Sequence, residues 1–134
     1  MGTRRSAGRT GLGPVAARRS TSAMGQDLDA LMPYVAVARA YPPLSRDEEF
    51  ALARRVRAGD RAARERLVKH NVAFVLSLCR KQANRGVRLE DLVQEGMYGL
   101  LKAVEHFDPA LGNRFSTYAA WWIRAYVTKA LREL

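Results

Sequence analysis

Arg114-Phe115-Ser116-Thr117-Tyr118-Ala119-Ala120-Trp121-Trp122-Ile123-Arg124 is the stretch whose reading decides the fold. It sets four aromatic residues within eight positions of a chain that is 8% aromatic. The spacing predicts a helix from about Ser116 to Leu134 with two faces. At about 100° per residue, Trp122, Tyr126, Ala119, Ala130, Ile123, Val127 and Leu131 fall in one wide apolar arc, a core stripe. The opposite arc holds Arg124, Thr117, Thr128, Trp121, Arg132, Tyr118 and Lys129. An indole and a phenol among cations and hydroxyls suit unstacked nucleobases, because rings stack on bases while cations track phosphates. The alternative is that Tyr118 and Trp121 pack against another element of the same domain. Periodicity alone does not choose between them.

Working back from this helix, Asp108-Pro109 and Gly112-Asn113 predict a tight turn. Before it, Leu89 to Phe107 reads as an amphipathic helix. Leu92, Val93, Gly96, Leu100, Ala103 and Val104 share one face, and Asp91, Gln94, Glu95, Tyr98, Lys102 and Glu105 share the other. Gly96 and Gly99 each cost about 1 kcal/mol of helix propensity relative to alanine. Two glycines three apart point to close approach by another helix, or are simply tolerated.

Earlier still, Asp60 is an N-cap, and a long helix is expected from there to about Asn84, closed by Gly86. Its core stripe is Leu67, Val72, Phe74, Val75, Leu78 and Cys79, with Arg66, Lys69, His70, Ser77 and Arg80 on the other side. Asn71 falls inside the apolar arc, either as a buried amide bonded to backbone or as a polar contact to a ligand. Ser45 and Glu48 form a Ser-x-x-Glu capping box for a helix that runs through Ala58 and ends at Gly59. Leu28, Leu31, Met32, Val35 and Ala38 give a further helix from Asp27 to about Tyr41, stopped by Pro42-Pro43. No alternating β pattern appears. The expectation is an all-α, compact bundle of about five helices.

Residues 1–24 carry five arginines and no acid, lack apolar periodicity, and read as a disordered basic tail. A start codon at Met24 and an organellar transit peptide are the other readings of that segment. The ordered domain is expected over residues 25–134. The whole chain has 134 residues, a net charge of +10 and a pI near 10.6, which favours a polyanionic partner. The charge is unevenly spread: residues 46–88 carry +7 and residues 89–108 carry −4. A basic protein with an acidic helix in its middle is expected to meet two kinds of partner. Apolar runs are broken by charge well before the length needed to span a membrane. The single cysteine, Cys79, has no intramolecular disulfide partner, which fits a reducing cytoplasm. His70, His106 and Cys79 are too scattered for a metal site. No constellation of catalytic residues is present in the sequence, so no enzyme activity and no cofactor are expected.

The order of a capped helix, a basic helix, an acidic Gln-Glu-Gly helix, an Asp-Pro turn and an aromatic helix resembles the bacterial RNA polymerase sigma factors of the housekeeping and heat-shock class. The matching residues are Leu44-Ser45 with Asp47-Glu48-Glu49, Gly59-Asp60, Asn84-Arg85-Gly86, Asp91-Leu92-Val93-Gln94-Glu95-Gly96, and Gly99-Leu100-Leu101-Lys102-Ala103-Val104. Phe115-Ser116-Thr117-Tyr118-Ala119 and Trp121-Trp122-Ile123-Arg124 complete them, and Leu31-Met32-Pro33-Tyr34 is similar to the heat-shock branch. The resemblance covers roughly residues 27–134 and implies region 2 with part of region 1.2.

It further implies that the acidic helix docks on a coiled coil of the largest subunit of core polymerase, through Asp91, Gln94 and Glu95 with Met97 and Leu101 nearby. The aromatic helix would capture the non-template strand of the promoter minus-ten element and flip one adenine into an aromatic pocket. Phe115, Tyr118, Trp121 and Trp122 match that aromatic set, Arg114, Arg124 and Lys102 match nearby basic positions, and Thr128 and Asn71 match further DNA contacts. An anti-sigma factor is a further partner of such a domain, and a bacterial cytoplasm its place, with organelle import the alternative. Departures from the pattern are Asn113 in place of an aromatic, Ala125 in place of a glutamine that reads the duplex edge, and His106 in place of a lysine. The chain stops at Leu134 in mid-helix, which reads as a domain truncated at its C-terminus. Two other functions stay open on the sequence. One is a truncated sigma-like protein that occupies polymerase as a competitor without initiating, and the other a generic basic nucleic-acid-binding protein with no sequence preference.

Overall fold

Local capping chemistry marks out the helices. A computed structural model describes residues 15–83 and 86–133, with side chains from Leu28 onward. In chain order the elements are α1 (Val15–Ala40), α2 (Arg46–Arg57), α3 (Arg61–Lys69), α4 (Val72–Arg80), α5 (Leu89–His106), a 3-10 turn (Pro109–Leu111) and α6 (Phe115–Arg132). Among the described residues there is no strand. The fold is all-α.

The capping box forms as the sequence predicts. Glu48 N–H donates to Ser45 Oγ at 3.2 Å, and Ser45 N–H donates to Glu48 Oε1 at 2.9 Å. Both satisfy donors that a helix start otherwise leaves unpaired. At the start of α3, Ala63 N–H donates to Asp60 Oδ1 at 3.1 Å. That bond and the neighbouring Arg55 guanidinium hold the Asp60 carboxyl below its ordinary range. The turn between α2 and α3 closes on Gly59 at a φ of +94°, a left-handed conformation that only glycine adopts without strain.

α1 begins at Val15, ahead of the start expected at Asp27, and a second element departs further from the sequence reading. The single long helix expected from Asp60 to about Asn84 is two short helices, α3 and α4, broken at His70 and Asn71. The cause lies in the Asn71 side chain. Its Nδ2 donates to Leu67 O at 2.8 Å, taking the carbonyl that the Asn71 N–H would use in a continuous helix, and that N–H goes instead to Val68 O at 3.0 Å. A short amide competing with the backbone for its own helix bonds is the general reason asparagine disfavours helix interiors.

Two compact units divide the chain at residue 30, and the core belongs to the unit from Leu31 onward. Of the tail expected over residues 1–24, residues 1–14 lie outside the described residues, and residues 15–24 belong to the backbone of α1. Within the second unit, α5 and α6 form the most extensive helix pair, α4 packs on both, and α3 lies against α5. The interior holds Leu67, Val75, Cys79, Leu92, Val93, Leu100, Phe115 and Ile123, all but sealed from solvent. Each large apolar side chain so buried contributes about 1.5–3 kcal/mol before the entropy of ordering is counted. Burial also pushes the Cys79 thiol up to about 12, so it stays protonated and unreactive, with Sγ 3.3 Å from Leu92 O.

Gly96 and Gly99 explain how α5 meets its neighbours so closely. A Cβ at Gly99 would stand 2.7 Å from Trp122 O and 2.8 Å from Ile123 Cα, both backbone atoms of α6. At Gly96 the nearest atoms are Val75 Cγ1 at 2.9 Å and Cys79 Sγ at 3.0 Å, both side-chain atoms of α4. The glycine pair is a contact surface.

Candidate nucleic-acid interface

The aromatic helix begins without a cap of its own. Arg114 occupies the N-cap position and gives no side-chain capping bond, so the first donors of α6 need a partner from elsewhere. Glu49 of α2 supplies it. Phe115 N–H donates to Glu49 Oε2 at 2.8 Å, while Arg114 donates through Nε at 3.1 Å and Nη2 at 3.2 Å to the same carboxylate. Glu49 is only 6% exposed, and a buried carboxylate at a helix N-terminus is favoured both by these donors and by the helix dipole. This contact joins residues 65 apart in sequence and ties the start of the aromatic helix to α2. In a Glu49→Ala variant the guanidinium and the amide lose their shared acceptor. Stability in urea is expected to fall by about 1–3 kcal/mol. An unchanged midpoint would show the contact to be dispensable.

The four aromatic residues read as one set in the sequence fall into three environments. Phe115 is 0% exposed, packed edge-on against Phe107 with ring centroids 5.2 Å apart. It packs in the core: counting the helix from Phe115 aligns it with Ala119, Ile123 and Val127 on the buried stripe. Tyr118 is half-buried, tilted over Phe107 at 5.5 Å. Trp122 is also half-buried. Its indole lies nearly parallel to the His106 imidazole, 12° between planes and 5.3 Å between centroids. Trp121 alone stands out, 66% exposed, with an edge-to-face contact to Trp122 at 5.3 Å. Tyr118, Trp121 and Trp122 therefore remain able to present ring surface, and Trp121 presents most.

The basic and polar candidates divide between two places. Arg124 and Thr128 are exposed on α6 and line a narrow cleft with Lys81 and Gln82. Lys102 is exposed on α5, with Nζ 4.0 Å from Glu105, a carboxylate that also faces Arg64 at 3.5 Å. Asn71 and Arg114, 43 positions apart, meet in a cleft of about 270 Å³ whose walls include Glu49, His70, Phe74 and Ser116. Asn71 is buried and spends one amide hydrogen on Leu67 O, so in this state its side chain holds the helix break. Beside it, His70 Nδ1 lies 2.7 Å from Pro42 O, which can only accept, so Nδ1 carries the hydrogen. His70 Nε2 is buried without a hydrogen-bond partner among the described residues.

The outer face of α5 is a second surface. Asp91, Gln94 and Leu101 are exposed, and Glu95 and Met97 half-buried, all on one helix. Tyr98, which the sequence placed on this arc without a role, is 57% exposed among them. Burial and then the nearby Glu90 and Tyr98 push the Tyr34 phenol up. The sequence reading gave no site role to Glu49, His70, His106 or Tyr98. Glu49 alone carried a signal, an acid in line with Leu52, Ala53 and Val56 on the buried side of α2. Among the described residues, no group of three His, Cys, Asp or Glu could hold a metal ion, and no helix is long and apolar enough to cross a membrane.

Known families match both parts of this architecture. Sigma-70 region 2 matches residues 67–134, and Sigma-70 factor, region 1.2, matches residues 37–62. RNA polymerase sigma factor SigA of Clostridium acetobutylicum is 48% identical over 92 residues, 69% of this chain and 24% of that protein. RNA polymerase sigma factor SigA of Listeria monocytogenes is 49% identical over 90 residues, 67% of this chain and 24% of that protein. The chain thus matches about a quarter of the length of these relatives.

Proposed function

This chain belongs to the sigma-70 family, and on that premise we propose that it docks on core RNA polymerase and recognises and melts the promoter minus-ten element. The single observation that carries the DNA reading is Trp121, an indole 66% exposed on a helix face otherwise built of cations and hydroxyls. In this reading Trp121, Tyr118 and Trp122 hold unstacked bases of the non-template strand, Arg124, Lys102 and Thr128 follow its backbone, and the cleft at Asn71 and Arg114 takes a further base. Phe115 serves by packing. A base pulled from the duplex loses stacking worth a few kcal/mol, and an aromatic partner returns about 1–3 kcal/mol per base. Melting is then close to balance, and capture of one strand tips it with no fuel and no catalytic group.

The polymerase contact in this reading is the outer face of α5, with Asp91, Gln94, Glu95, Met97 and Leu101 set on a coiled coil of the largest subunit. The −4 charge of residues 89–108 in a chain of net +10 supports two separate partners, one basic protein surface and one nucleic acid. The test is binding of a fluorescent single-stranded minus-ten oligonucleotide against a scrambled control, with and without core polymerase. Preference for the minus-ten sequence that strengthens with polymerase is expected. Equal binding to both sequences, falling steeply with salt, would reduce the chain to a generic basic nucleic-acid binder. Polymerase binding with no DNA preference would make it a competitor that occupies polymerase without initiating.

A further inference from the structure

We propose that His106 is a positioning residue for Trp122, covering one face of the indole so that the tryptophan pair works as one fixed ring and one free ring. The proposal rests on the promoter-capture reading above. Its geometry is the near-parallel stack of imidazole and indole, 12° between planes at a centroid distance of 5.3 Å. That lies within the range where aromatic pairs attract beyond the area they bury.

Three further observations bear on it. His106 is the last residue of α5 and remains exposed at its outer edge, so the core does not need it. The neighbouring acid Glu105 turns to Arg64 at 3.5 Å and to Lys102 at 4.0 Å, and the ring contact of His106 is with Trp122. The backbone of Trp122 also lies close against α5, since its carbonyl lies where a Cβ on Gly99 would be only 2.7 Å away. Backbone and ring of Trp122 are therefore both held by α5, one by Gly99 and the other by His106. Trp121 meets Trp122 edge to face and keeps two-thirds of its surface open, so the held indole sets where the open one stands. A lysine at this position would bring charge without a flat face.

The chain has two tryptophans, so Trp121→Phe leaves Trp122 as the only indole to observe. In that background, acrylamide quenching of the full chain without DNA reads the stack directly. His106→Ala is expected to raise the quenching constant, since the part of the ring face that the imidazole overlaps is uncovered, and His106→Phe to bring it back. With Trp121 present, His106→Ala is expected to weaken binding of the single-stranded minus-ten oligonucleotide by about 2- to 12-fold, the equivalent of one aromatic pair. His106→Phe should recover that loss and His106→Lys should not. Unchanged quenching in His106→Ala overturns the stack. Unchanged or tighter binding in His106→Ala overturns the positioning role, as does rescue by lysine but not phenylalanine. A wild-type chain without minus-ten preference overturns the parent reading and the proposal with it, an outcome the quenching arm, run without DNA, keeps separate from failure of the stack.

Discussion

Trp121→Ala is expected to weaken binding of the single-stranded minus-ten oligonucleotide by about 5- to 150-fold while leaving stability nearly unchanged. The size follows from the loss of one base stack, about 1–3 kcal/mol. The lack of a stability effect follows from exposure: a side chain with 66% of its surface in water gives up little burial when truncated, and alanine is a better helix former than tryptophan. Its one ring contact is the edge-to-face approach to Trp122. The matched control is Phe115→Ala, which removes a ring that is 0% exposed and should cost about 3–5 kcal/mol of stability through the cavity it leaves. The two aromatic residues, six positions apart, are thus predicted to separate cleanly, one carrying binding and the other folding. Equal oligonucleotide affinity for wild type and Trp121→Ala, measured by anisotropy at a fixed salt concentration, would remove the indole from the interface.

Gly99→Ala is expected to destabilise the domain and to weaken DNA binding together. Alanine would gain about 1 kcal/mol of helix propensity in α5, and on an open helix face that gain would show. Here the added methyl meets Trp122 O at 2.7 Å, Ile123 Cα at 2.8 Å and Trp122 C at 2.9 Å. These are backbone atoms of a packed helix, and they cannot rotate out of the way. Overpacking of this kind costs about 1–3 kcal/mol, and at the upper end it outweighs the propensity gain and pushes α5 and α6 apart where the tryptophan pair is mounted. Gly96→Ala is the informative comparison. Its new methyl would face Val75 Cγ1 at 2.9 Å and Cys79 Sγ at 3.0 Å, side-chain rather than backbone atoms, so a smaller loss is expected. Urea denaturation of the two variants checks the order. A Gly99→Ala chain as stable as wild type would mean that the helices meet less closely than the structure has them.

These two contrasts also mark where sequence reading reached its limit. Trp121 was placed correctly on the polar side of its helix by angle alone, and the apolar faces of α5 and α6 are the buried ones. Phe115, grouped with the other rings by the resemblance, lies just ahead of the helix start read at Ser116, and its full burial is visible only in the structure. Arg114, which the resemblance matches to a basic position near the aromatic set, is bound to a carboxylate contributed by α2, a contact no local pattern announces.

What the sequence by itself determined is the all-helical class and the local caps and turns that bound several of its helices. The Ser45–Glu48 box, the Asp60 cap, the glycine turn at Gly59 and the apolar stripes all depend on residues within four positions of each other. Interactions that short follow from backbone geometry whatever the rest of the chain does. The family resemblance came from the same local motifs. Tertiary structure alone decided which of the exposed-looking groups are taken. The capture of Arg114 by Glu49, the stack of His106 on Trp122 and the meeting of Asn71 with Arg114 in one cleft join residues 16 to 65 positions apart. A helical wheel gives the direction a side chain leaves its own axis, but says nothing of the distance to the neighbour it will meet. That distance is set by how closely two helices can approach, and here it was set at Gly99, where no side chain stands between α5 and the backbone of α6.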